Sequence, residues 1–219
     1  MRESNQTFEQ EMRTRLAKLE ELVGIQADPL FKEPHPSETF KGLHDRGGAS
    51  YYWAGVAGGV STTLNNGIPA MNGSIFAVPF YLATPRRIDR MAIFINIIAA
   101  GNARMGVYDV GDPVTLYPGR RLFDFGEVST NTLGLRTVTV DPRQTLPRGL
   151  MWFVVAFSNQ PTFAMITDQN RWQLLGTDSA MISHVGWSRS QTYGPLPEAF
   201  PTGASRQEDV PFLGVRMVE

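Results

Sequence analysis

The chain contains no cysteine among its 219 residues. That excludes disulfide stapling, thiolate nucleophiles and cysteine-ligated metal centres. Histidine is scarce: His35, His44 and His184 lie in different segments without ligand spacing, so no metal site is expected. An excess of charge is missing too. Lys plus Arg number 20 and Asp plus Glu 21, a formal net charge of -1, and the arginines are scattered, so nucleic acid is not an expected partner. No apolar run reaches the length of a membrane-crossing helix, and the opening MRESNQTFEQEM lacks the apolar core of a secretory leader. Folding in a cytosol without membrane insertion is the expectation. Gly58-Gly59 has no following Lys and is not a phosphate loop. Glu127, Asp168, Asp178 and Glu198 have no evident pairing of the kind glycoside hydrolysis needs. Ser183 and His184 are adjacent, which on a strand sends them to opposite faces. Asp109-Val110-Gly111-Asp112-Pro113 reads as a turn supported by aspartate rather than a calcium loop. No catalytic residue, metal or cofactor is expected, and the chain reads as a non-enzyme.

What is present is a succession of short apolar runs between turn signals, from about Ala77 to Phe157. Thr84-Pro85, Ala100-Gly101-Asn102, Asp112-Pro113, Pro118-Gly119 and Arg148-Gly149 punctuate it. Many short strands with no long helical pattern between them predict a mainly β domain, an antiparallel sandwich, over residues 51–219. Phe76, Val78, Phe80 and Leu82 share one face by period two. Pro79 removes a ladder donor, so that strand is expected at an edge or with a bulge. IDRMAIFINII and GLMWFVVAF are apolar on both faces, which predicts strands covered on both sides or a subunit interface. A hairpin is expected to join IDRMAIFINII to RMGVYDV through Ala99–Ala103. The closing PFLGVRMV, with Leu213, Val215 and Met217 on one face, is expected in the middle of a sheet.

Ahead of this domain, residues 1–24 read as a helix. Met12, Leu16, Leu19 and Val23 form a narrow seam of coiled-coil type, ended by Gly24. Arg15-Leu16-Ala17-Lys18-Leu19-Glu20 resembles the short trimerisation motif of parallel coiled coils, with Arg15 reaching across the seam to a neighbouring Glu20. The other reading is a surface helix docked on its own domain. Residues 25–50, with Pro29, Pro34 and Pro36, read as an extended linker.

The ordered set AVPFYL, RIDRMAIFI, ARMGVYDV, YPGRRLFDFGEV, LGLRTVTV, TLPRGLMWFVVAF and VPFLGVRMV covers about two thirds of the chain. As a set it resembles a domain of tailed-bacteriophage virion proteins, found in tail fibres, spikes and head fibres. The resemblance implies a jelly-roll-like sandwich, a homotrimer, location in the virion after assembly in the host cytoplasm, and a structural, adhesive role. On that reading residues 1–50 contact other virion proteins and the sandwich meets the host surface. A capsid decoration or head-fibre protein, and a non-catalytic carbohydrate-binding module, are the alternatives.

Between about residues 158 and 209 the pattern loosens into polar, loop-rich sequence. Trp172, Trp187 and Tyr193 stand there beside Asn170, Gln173, Arg189 and Gln191. Aromatic faces next to amides and guanidinium suit sugar rings, so Trp172, Trp187, Tyr193, Asn170 and Arg189 are the candidate ligand residues for a host-surface glycan. The competing reading packs these aromatics into the sandwich ends or a subunit interface.

Overall fold

The computed structural model describes residues 51–54, 65–69, 73–82, 84–165, 175 and 184–218. The helix expected over 1–24, its seam residues Met12, Arg15, Leu16, Leu19, Glu20 and Val23, and the linker lie outside the described residues. Among the described residues all regular structure is strand: β1 (Tyr51–Trp53), β2 (Asn65–Pro69), β3 (Ser74–Leu82), β4 (Arg86–Ile97), β5 (Asn102–Asp112), β6 (Tyr117–Ser129), β7 (Gly134–Leu146), β8 (Gly149–Phe157), β9 (Thr162–Met165), β10 (Gly186–Ser190), β11 (Ser205–Gln207) and β12 (Leu213–Val218). They form two antiparallel sheets. Sheet I runs β1-β12-β4-β9-β2 with β7 on the other edge of β4, and sheet II runs β11-β10-β3-β8-β5-β6. Ile93 stands opposite Leu213 and Arg136, and Ile95 opposite Phe163 and Gly134. Strands β12 and β9 therefore share one edge of β4 end to end.

The two sheets enclose the main core. Phe76, Val78, Phe80 and Leu82 of β3 face it, as period two requires, with Met151, Phe153, Val155 and Phe157 of β8. Phe80 stacks on Phe153 at 4.3 Å, and Phe157 on Phe163 at 5.3 Å. From the other sheet come Ile88, Met91, Ile93 and Ile95 of β4. Ile88 is out of phase with the three that follow it. An irregularity between Ile88 and Arg90 resets the alternation, which lets one strand feed the same core on both sides of Asp89. Strand β12 lies between β1 and β4, and Leu213 and Val215 are fully buried, as expected for an interior closing strand.

Two local expectations are corrected. β4 and β5 do not form a hairpin. β4 belongs to sheet I, while β5 pairs with β6 and β8 in sheet II, so residues 98–101 carry the chain across the sandwich. Pro79 occupies an interior strand, paired with Trp152 without a register break. The reason is local. The Ala77 carbonyl faces β10, closely enough that a Cβ on Gly186 would meet it at 2.4 Å. Two residues on, Pro79 faces the same edge beyond the last β10 partner, so no ladder bond is lost.

The outer face of sheet II is also apolar: Ile75, Ala77, Trp152, Val154, Ala156 and Trp187 gather there with Tyr108. Residues 191–204 cross it as a strap, burying Leu196 and Phe200 against it. The Tyr108 hydroxyl donates to the Pro197 carbonyl at 2.5 Å. The Tyr117 hydroxyl donates to the Pro201 carbonyl at 2.5 Å and accepts from the Ala204 N–H at 2.9 Å. Backbone bonds from Arg121 to Glu198 and from Phe200 to Gly119 tie the strap to β6.

Candidate functional site

Of the sequence-derived ligand residues, Trp187, Tyr193 and Arg189 fall among the described residues. Trp187 on β10 is 6% exposed. Its ring lies edge-on to Tyr117 at 4.8 Å, the Arg206 guanidinium is 5.7 Å from its centre, and its buried indole N–H has no acceptor among the described residues. The flat exposed face that sugar stacking needs is absent there, because the strap and β11 enclose the ring. Tyr193 packs on the same apolar cluster and donates its hydroxyl to Glu127 at 2.5 Å. Burial, and then the neighbouring carboxylate, raise its pKa above the usual tyrosine value. Arg189 is exposed and donates to the Gly203 carbonyl at 2.7 Å. Asn170 and Trp172 lie outside the described residues. Residues 191–204 of the loop-rich segment thus cover sheet II.

A concave surface forms elsewhere, where the two sheets part between β6 and β7. These are the last strands of their sheets on the same side of the sandwich, and they are not paired with each other. The cleft has a volume of about 320 Å³ and is lined by residues 121–125 of β6 and by Thr139, Val140, Asp141, Pro142 and Gln144 of β7. Phe123 and Phe125 point inward by period two, and at this open margin they are half-buried. Their rings lie nearly parallel at 5.6 Å.

The polar groups around these rings divide into two sets. Asp124 is fully engaged: it accepts from Arg104 at 3.0 Å, from the Gly126 N–H at 3.1 Å and from the Leu196 N–H at 3.2 Å. Arg121 is 3.7 Å from Asp124 and donates to the Leu196 carbonyl. These two hold the β6 wall against the strap. On the β7 wall the Thr139 hydroxyl and the Asp141 carboxylate are exposed and have no partner among the described residues, and Gln144 donates to the Pro142 carbonyl at 3.0 Å. The cleft therefore pairs an aromatic floor with a hydroxyl, a carboxylate and an amide, the set that orients a neutral polar ligand with apolar CH faces. Sequence reading missed it. Phe123 and Phe125 in LFDF hinted at one exposed-margin face, but the β7 wall comes from residues 139–144, brought alongside only by the crossing between sheets.

A second feature is the end of the sandwich formed by residues 97–102, 129–134 and 158–161, which contain no charged residue. Ile97, Ile98 and Leu133 are exposed there at 55%, 52% and 60%. The end is stiffly built: Thr130 donates to the Ala99 carbonyl at 2.8 Å, Asn159 to the same carbonyl at 2.5 Å, and Ser158 accepts from the Asn102 N–H at 2.8 Å. Tyr51, opposite Arg216, lies toward the other end.

Asp112 holds the β5–β6 turn, accepting from the Val114 N–H at 2.9 Å and the Thr115 hydroxyl at 2.6 Å; these bonds hold its pKa below the usual value. Among the described residues no group of three or more His, Asp or Glu is arranged to hold a metal ion, and no helix is long and apolar enough to cross a membrane. Compared with known families and with curated proteins, the chain matches no family model and no curated sequence.

Proposed function

We propose that the protein is a structural virion protein of a tailed bacteriophage, a trimeric fibre or spike that presents a jelly-roll-like sandwich for attachment to host-surface glycan. The observation that carries the reading is the β6–β7 cleft. Its Phe123 and Phe125 floor suits the CH face of a sugar, and Thr139, Asp141 and Gln144 suit its hydroxyls. The ordered motif set supports the phage assignment. The stiff, uncharged end remote from Tyr51 supports a display role, since an attachment module joined at one end presents the other. Weak single-site binding would be multiplied by three linked copies at high effective concentration.

The test joins solution mass to binding. Light scattering of the full chain is expected to give three times the 24.3 kDa chain mass. Retention on immobilised host-surface polysaccharide is expected to fall about tenfold or more for Phe125→Ala, the loss of one stacking contact counted across several linked sites. A monomer that binds sugar through the cleft makes the protein a carbohydrate-binding module instead. A trimer whose retention is unchanged by Phe125→Ala and Gln144→Ala removes the cleft from the reading.

A further inference from the structure

Strand β6 serves two structures at once. Phe123 and Phe125 pack inward, against the main core, and form the cleft floor. Arg121, Asp124 and Glu127 bond on the outer side, to β5 and the strap. The pairing with β5 lets one strand carry both sets. Met105 stands opposite Gly126 and Gly106 opposite Asp124, so β5 advances one residue where β6 advances two. Phe125 is the extra residue, a bulge in the middle of the floor. The extra residue of a bulge is left out of the ladder, so its position must be fixed by something else. Gly126 follows it at φ 90°, in the left-handed region that favours glycine.

Asp124 fixes it. Its Oδ1 accepts the Gly126 N–H at 3.1 Å, closing a short ring around Phe125. Both of its oxygens accept from the Arg104 Nε at 3.0 Å, which ties the bulge to β5. Its Oδ2 accepts the Leu196 N–H at 3.2 Å, which ties the bulge to the strap. Arg121 completes the junction, 3.7 Å from Asp124 and donating to the Leu196 carbonyl. Leu196 is seated directly on β5: a Cβ on Gly106 would meet its side chain at 2.5 Å. One carboxylate thus joins the backbone that carries Phe125 to the middle of the strap.

We infer that Asp124 is a positioning residue for the cleft, and that the strap sets ligand affinity through it. With the strap seated, the Phe125 ring is held where a sugar face can stack. When Leu196 lifts, Asp124 loses one of its donors and Arg121 loses its carbonyl. The bulge then gains freedom that ligand binding must remove again. Such coupling is reciprocal: the factor by which lifting the strap weakens the ligand is the factor by which the ligand suppresses lifting. The inference rests on the reading of the cleft as the glycan site and adds a control element on the outer side of the same strand.

The experiment reads that reciprocity in the wild-type full chain, so it does not depend on any variant folding. Glu198 is the one glutamate within 191–204. A glutamate-specific protease cuts after it when the strap lifts, and the fragment ending there is followed by mass. With saturating host-surface polysaccharide in solution, this cleavage is expected to slow about fivefold or more. Gln144→Ala, on the opposite wall, should lose the protection together with the retention. Asp124→Asn keeps the size of the side chain and one acceptor oxygen. It is expected to lower retention about fivefold or more and to remove most of the protection even at saturation, which the loss of a merely stabilising bond would not do. Retention that depends on Phe125 and Gln144, with wild-type cleavage unchanged by polysaccharide, overturns the inference and leaves the cleft reading standing. So does full protection that survives in Asp124→Asn. Retention indifferent to Phe125→Ala and Gln144→Ala removes the cleft reading and the inference together.

Discussion

Tyr108→Phe removes one oxygen atom and tests what the strap is worth. Tyr108 is fully buried, its ring edge-on to Phe200 at 5.8 Å, and its hydroxyl donates to the Pro197 carbonyl at 2.5 Å. The substitution keeps the ring and its packing. It leaves the Pro197 carbonyl facing an apolar cluster without a donor, which costs about 1–3 kcal/mol. Urea unfolding followed by tryptophan fluorescence should show that loss at neutral pH with an unchanged denaturant slope. Tyr117→Phe removes a second tether, to Pro201 and Ala204. In the double variant the strap should detach first, seen as protease cleavage within 191–204 before global unfolding.

The same residue predicts an alkaline dependence. Burial raises the Tyr108 pKa well above its usual 10.0, with Arg121 opposing and Asp124 assisting. Above pH 10 the unfolded chain releases this proton while the folded chain keeps it. Stability is therefore full below about pH 10 and falls as pH rises beyond it, at a slope approaching about 1.4 kcal/mol per pH unit for one such group. Tyr193, half-exposed and shifted in the same direction, adds a smaller share. Tyr108→Phe should remove the Tyr108 component. A variant within about 0.5 kcal/mol of wild type at neutral pH, or one with an identical alkaline slope, would refute the reasoning.

Asp89 runs the other way in pH. Its bond with Arg216 holds its pKa below 3.8 despite partial burial. Its contribution is present above that value and lost as pH falls through the lower folded one. Asp89→Asn should cost about 1 kcal/mol at neutral pH and flatten acid unfolding below about pH 4. Gly106→Ala would place a Cβ 2.3 Å from the Phe123 carbonyl and 2.5 Å from Leu196. It should lower the urea midpoint by the equivalent of about 2–3 kcal/mol and loosen the strap. A chain ending at Phe212 lacks the strand between β1 and β4; it should fail to accumulate in the soluble fraction, and a soluble, cooperatively melting product would contradict the placement of β12.

Legibility followed the range of the interactions. Within one strand, alternation is a property of adjacent residues, so the inward faces of β3, β8 and β12 could be read directly. So could the double-sided burial of β4 and β8, since a run such as MWFVVAF leaves no polar face to turn toward water. Two errors have one cause. The β4–β5 hairpin and the edge position of Pro79 both depend on which strand stands alongside, and turn residues do not say whether a chain folds back in its own sheet or crosses to the other. Asn102 starts a new strand either way. At Pro79 the deciding fact is that β10 has ended two residues earlier, which nothing near Pro79 records.

The cleft between β6 and β7 was hidden for the same reason at greater distance. Polar, aromatic-bearing sequence over 158–209 has the composition of a binding loop. Its strap, 191–204, instead satisfies a requirement set 40 residues upstream: Trp152, Val154 and Ala156 make the second face of β8 apolar, and something must cover it. Leu196 and Phe200 are that cover's anchors, and the tethers from Tyr108 and Tyr117 explain why its prolines and glycines can follow an irregular path yet remain fixed. Among the described residues, Phe123 and Phe125 are the aromatics at the open margin between β6 and β7. Their neighbours across the gap, Thr139, Asp141 and Gln144, are polar residues whose bonding capacity the described residues do not use up. Unused capacity beside an aromatic floor is what distinguishes a ligand cleft from a packing defect, and it is why binding is argued from β6 and β7 rather than from the loops.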